Sequence, residues 1–226
     1  MTHRSQDGLA TVVATMALLL MSAFGAALVL NTSYDIIVAA NMQRGQEGLY
    51  AATAAMERAL VDIQSTADWN RILQGAVRSG FVDGPGDGVR RLADGESIDL
   101  GRVRNQANCR QADPCGPGSL AAVTASRPWG ANNPVWVLYA HGPLAGLLPD
   151  GTINSSWYVL VMSADDPSEN DDDPYRDGTD AANPGTGRLA LRAEGFGPRG
   201  GHAVVEAVVS RAPANRLRVL SWRQIR

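Results

Sequence analysis

Apolar positions follow one pattern over the first 64 residues and another over the rest. Nothing is charged from Leu9 to Leu30 (LATVVATMALLLMSAFGAALVL). This run of about 22 residues is roughly 33 Å long as a helix, a match for a bilayer core of about 30 Å. Met42, Gly45, Leu49, Ala52, Met56, Ala59 and Ile63 then recur at spacings alternating between three and four. That spacing lines up one helix face. No proline interrupts Leu9–Ile63. The pattern predicts one long helix over residues 9–64, its first part suited to lipid and its second to packing on protein.

The period changes further on. Val135–Ala140, Trp157–Met162, Arg188–Glu194, Ala203–Arg211 and Leu217–Trp222 are β-branched, aromatic or alternating runs bounded by turn residues. Short links favour antiparallel pairing. Residues 65–226 thus read as a β-rich head of about four or five strands, and the chain as α+β, a long helix packed on a mostly antiparallel sheet. Residues 64–130 read as loop-rich, with Phe81–Gly88 dense in turn residues and Ser97–Leu100 as a short edge strand. Trp69, Ile72 and Leu73 are expected where the helix meets the head.

Charge adds one feature. The net charge of −3 gives no basic footprint for nucleic acid. All 20 basic side chains are arginine, yet Asp165–Asp180 holds eight of the 23 acids and a single arginine. Calcium takes six to eight oxygen ligands, and hard oxygens without His or Cys favour it over transition metals. Asp171, Asp173, Asp177 and Asp180 are the expected ligands, completed by Asp166 or Glu169. The spacing is not that of an EF-hand, and a solvated acidic loop is the competing reading.

The N-terminal residues 1–8 (MTHRSQDG) are short and polar. The apolar run behind them is too long for a cleaved secretory signal, and the helical pattern continues past it. Arg4 lies before the run, whereas Asp35 and Arg44 are the first charges after it. That bias places the N-terminus in the cytoplasm and the head outside.

The stretch GLATVVATMALLLMSAFGAALVL, followed by NMQRGQEGLYAATAAMERAL, resembles the N-terminal module of PilX-type minor pilins over about the first 65 residues. It is also similar to the K-type tip pseudopilins of type II secretion. The resemblance implies a leader, residues 1–8, cut between Gly8 and Leu9 by a prepilin peptidase. It implies a non-catalytic subunit of a type IV pilus or related filament, held in the inner membrane before assembly and joined to other pilin subunits through the N-terminal helix. Major pilins carry Glu at the fifth mature position, where this chain has Val13; minor and tip subunits share the apolar choice. An ordinary single-pass anchor carrying an exported binding domain is the alternative.

Cys109 and Cys115 are the only cysteines. Five residues separate them, no histidine lies near enough to suggest zinc, and a redox pair is more often C-x-x-C. A structural disulfide is expected in an exported head. Gly195–Gly200 matches G-x-G-x-x-G, but Pro198 and the following β-branched run make it a hairpin link rather than a helix-opening phosphate loop. No catalytic constellation can be assembled from His3, His141 and His202.

Overall fold

A computed structural model describes residues 4–125, 135–148, 151–169, 173–178 and 185–225. The chain divides into two units, Met1–Arg44 and Gly45–Arg226.

The first unit is the N-terminal part of helix α1 (Arg4–Gln64). Leu19 and Phe24 are 70% and 71% exposed, and Leu9, Val13, Leu28 and Ile37 are exposed too. This helix is long and apolar enough to cross a membrane. Four of its hydroxyls are satisfied within the helix. Thr15, Ser22, Thr32 and Ser33 each donate to a carbonyl one turn back, at 2.8–3.0 Å. Internal satisfaction of this kind is what a polar group in hydrocarbon requires.

The second unit contains the rest of α1 and an antiparallel sheet in the order β3 (Val137–Pro143), β4 (Tyr158–Asp165), β5 (Arg188–Gly197), β6 (Gly201–Ala212) and β7 (Arg216–Ile225). Each strand pairs with the next in sequence. One sheet face packs on α1. Ala52, Met56, Ala59 and Ile63 of the expected seam are buried with Val159, Val161, Leu191, Ala193, Val205 and Val209, whereas Met42 is 66% exposed. The short helix α2 (Asn70–Leu73) closes the end of this core with Trp69, Ile72 and Leu73.

The helix can lie close because the strand facing it is short of side chains. A Cβ on Gly195 would sit 3.2 Å from the Gly48 carbonyl oxygen and 3.4 Å from the Ala52 nitrogen. Gly195 and Gly197 of the G-x-G-x-x-G string therefore serve packing, while Gly200 takes the left-handed region at φ 72° in the 3-10 turn Pro198–Gly200 that joins β5 to β6. The hairpin reading of that string agrees with this geometry.

The other sheet face is covered over β3 and β4 by the ribbon β1 (Val89–Arg91) with β2 (Ser97–Asp99) and by helix α3 (Leu100–Cys109). Here the loop-rich reading of residues 64–130 needs correction. That stretch holds two helices beyond α2, namely α3 and α4 (Pro117–Ala125). Polar residues dilute the helical period of α3, but its caps are regular. Asp99 Oδ1 accepts from the Arg102 N–H at 3.0 Å, and Arg110 ends the helix in the left-handed region at φ 59°. Leu100, Val103 and Ala107, spaced three and four apart, face the sheet. The Ser97–Leu100 strand stops at Asp99 because Leu100 already belongs to α3.

Cys109, the last residue of α3, is bonded to Cys115, with their Cα atoms 6.0 Å apart. The bridge closes the turn leading into α4.

Candidate functional site

β4 does not end at Met162 but runs on to Asp165. Three further residues of pairing carry the first carboxylate of the acidic stretch inside, where Asp165 pairs with Leu189. Asp165, Asp166 and Glu169 are buried, 3%, 5% and 2% exposed. One carboxylate oxygen from each of Asp165, Glu169 and Asp177 lies within 4.8 Å of the others.

The surrounding backbone holds the three in place. Asp165 Oδ1 accepts from the Asp166 N–H at 2.9 Å. Glu169 Oε1 accepts from the Gly178 N–H. Asp177 Oδ1 accepts from the Gly187 N–H at 2.6 Å, while its own N–H donates to Asn70 Oδ1 at 2.7 Å. That last bond ties the loop to α2. Gly185 is needed here, since a Cβ would fall 2.3 Å from the Glu169 Cβ.

Burial, followed by the charge of Glu169, pushes the Asp165 carboxyl far above the usual carboxylate range; the Asp166 N–H opposes that rise only in part. The cluster therefore holds a proton at neutral pH unless a cation takes its place. Three carboxylates with no His or Cys form an oxygen-only set, which fits Ca²⁺ in kind.

The expected ligands are placed as follows. Glu169 and Asp177 belong to the cluster. Asp166 turns to Ser168, whose N–H and Oγ both donate to its Oδ1 at 2.9 Å, and its Oδ2 lies 3.6 Å from Arg188 Nη1. Asp173 caps its own turn, accepting from the Tyr175 N–H at 3.1 Å. Asp171 and Asp180 lie outside the described residues. Asp165 was counted in the acidic stretch but not among the ligands. The signal that would have found it is its position three residues past the Trp157–Met162 run, in the register of Val159 and Val161.

A second polar assembly lies on the sheet face away from α1. Arg192 bonds Glu194 Oε1 at 2.6 Å and Glu206 Oε1 at 2.8 Å, and Glu206 Oε2 takes Arg223 Nη2 at 2.6 Å. His202 Nε2 meets Glu194 Oε2 at 2.8 Å, and its ring stacks on Phe196 at 4.7 Å. Burial alone would raise the Glu194 carboxyl, but the His202 hydrogen bond and the Arg192 charge outweigh it and hold the group below its usual range. The assembly floors a cavity of about 500 Å³ beneath α3, also lined by Ile98, Val103 and Phe196. Both oxygens of Glu194 are taken, so the ladder neutralises its own charges instead of aiming one into the cavity. The in-register pairs Arg192–Glu206 and Glu206–Arg223 follow from strand register, which a sequence alone does not fix.

His141 is fully buried, with Nδ1 3.1 Å from the Tyr158 hydroxyl, which donates to Asp83 at 3.4 Å. Burial, then the charge of Arg90, holds the imidazole below its ordinary value and so neutral at pH 7. It is a packed connector between β3, β4 and the Phe81–Gly88 turn.

No family model, no curated protein and no solved structure matches the chain.

Proposed function

We propose that the chain is a non-catalytic, pilin-like filament subunit of the PilX minor-pilin kind, anchored in the inner membrane with its head outside the cytoplasm before assembly. One observation carries the reading. In a single helix, Arg4–Gln64, the uncharged run Leu9–Leu30 is exposed, and further along Gly48, Ala51, Ala52, Ala55 and Met56 are buried against an antiparallel sheet. An exposed apolar stretch of that length needs lipid or other helices around it. Ser22, Ala23, Gly25, Ala26 and Ala27 would let neighbouring helices approach closely. Val13 in place of a carboxylate suits a minor or tip position over the bulk of a filament.

The test is co-fractionation. Filaments sheared from cells should carry the head as a minor component that pellets with them. A chain found wholly in the membrane fraction, with filaments unchanged by its deletion, would favour the alternative of a single-pass protein with an exported binding domain.

The cluster of Asp165, Glu169 and Asp177 supports a second, separable reading, a Ca²⁺ site that orders the link between β4 and β5. Millimolar Ca²⁺ should raise the melting temperature of the detergent-solubilised chain, and chelator should reverse the rise. Identical melting in both would leave the cluster as three carboxylates sharing a proton.

A further inference from the structure

We propose that the outer edge of β7 accepts an extended acidic–apolar segment of another protein as a sixth strand of the sheet. Among the described residues no strand pairs with that edge. Ten residues, Arg216–Ile225, run along it, and Val219, Leu220 and Trp222 are 44%, 41% and 40% exposed. A long edge with unpaired backbone groups is a template for strand addition unless something guards it.

The register says what kind of strand fits. Leu217, Val219 and Trp222 pair with Arg211, Val209 and Ala207, and Val209 and Ala207 belong to the core against α1, so this side of the edge is apolar. Arg218 and Arg223 pair with Ser210 and Glu206 on the opposite face, and Arg216 is two residues from Arg218 on the same side. A shift at Val208/Val209 puts Leu220 at the changeover. One face of the edge thus carries Arg216, Arg218 and Arg223, with Ser221 and Ile225 among them, and the other is apolar from Leu217 to Trp222 and ends on Gln224. An incoming strand alternates faces as well, so it matches with acidic residues at every second position and apolar residues between them.

Charge selects against other occupants. Residues 211–226 hold five arginines and no acid. In an antiparallel pairing of β7 with a second copy, both strands would be cationic, so self-pairing is opposed. A lipid surface would need the basic and apolar groups on one side, and here they lie on opposite faces of the strand. The arginines therefore guard the edge against its own kind while leaving it open to an acidic partner. This inference is independent of the filament and calcium readings.

The test uses the full chain in nanodiscs of zwitterionic lipid, with a fluorescein-labelled ten-residue peptide alternating Glu and Val as probe. Anisotropy should show saturable binding. N-methylation of one alternate set of peptide amides should weaken it at least about tenfold, a loss of some 1.4 kcal/mol, and methylation of the other set should not. An Arg216→Glu, Arg218→Glu variant should lose the Glu–Val peptide and gain a Lys–Val one, a reversal that misfolding cannot mimic. Equal effects of the two methylation sets would overturn the proposal. So would vesicles of anionic lipid binding as well as the peptide, or self-association of the unaltered chain through this edge.

Discussion

The indole of Trp157 occupies the space that a side chain on Gly48 would need: a Cβ there would lie 2.6 Å from Cη2. The same ring blocks Gly197 and Gly201, at 2.5 and 2.9 Å. Trp157 is thus a wedge between α1 and the β5–β6 hairpin, and three glycines form its slot. Gly48→Val should cost about 2 kcal/mol or more by overpacking, and Trp157→Ala about 3–5 kcal/mol by cavity formation. Combined, the two should cost less than their sum, because truncating Trp157 frees the space that the introduced valine needs. Urea titrations of the four proteins, in one detergent, give the coupling directly; simple additivity would mean the wedge does not set the contact.

The Asp165 carboxyl makes stability fall as pH rises. Its folded value lies above the unfolded one, about 3.9, so its stabilisation is complete at acid pH and is lost as pH climbs through neutrality towards the folded value. Asp165→Asn imitates the protonated form. In chelator, the variant should be more stable than the parent at pH 8 and similar at pH 4, and it should respond weakly to Ca²⁺. Parallel melting-temperature profiles across that range would contradict the assignment.

Glu194 titrates in the opposite sense. Its depressed carboxyl contributes stability above the ordinary glutamate value of about 4.3, and that stability is lost as pH falls through the still lower folded value. Arg192→Met removes the cation between buried Glu194 and half-buried Glu206. The cost should be about 3–5 kcal/mol at neutral pH, the usual penalty for one partner of a buried pair. It should shrink in acid as Glu194, buried without its cation, takes up a proton, and an undiminished loss at pH 4 would point to lost packing instead.

Cys109–Cys115 closes a short loop, so the unfolded chain loses little entropy to it. A Cys109→Ser, Cys115→Ser variant should lose about 2 kcal/mol and still fold. Collapse of the head on mild reduction would show that the bridge holds more than the turn between α3 and α4.

Much of the fold was legible because its apolar periods are long. The uncharged run and the three-four seam specify α1, and each of the five expected strands lies within two residues of the start of one observed. The seam was legible only in part. Gly48, Ala51 and Ala55 are as buried as Ala52 and Met56, because small residues widen the contact face beyond a three-four line. Helix α3 was missed because Arg102, Arg104, Asn105 and Gln106 outweigh its three contact residues, although Asp99 as N-cap was there to be read. For the site, the sequence shows that acids concentrate in Asp165–Asp180 but not which of them turn inward. That choice depends on how far β4 extends and on the Asp177–Asn70 bond, a contact 107 residues apart in sequence.

The most direct measurement of the central claim is the mass of the N-terminal peptide of the chain extracted from its native membrane. A pilin-like subunit predicts a mature chain starting at Leu9, with residues 1–8 removed and the whole of Leu9–Leu30 kept. An intact Met1, or a cut after Ala27 that discards the apolar helix, would contradict it.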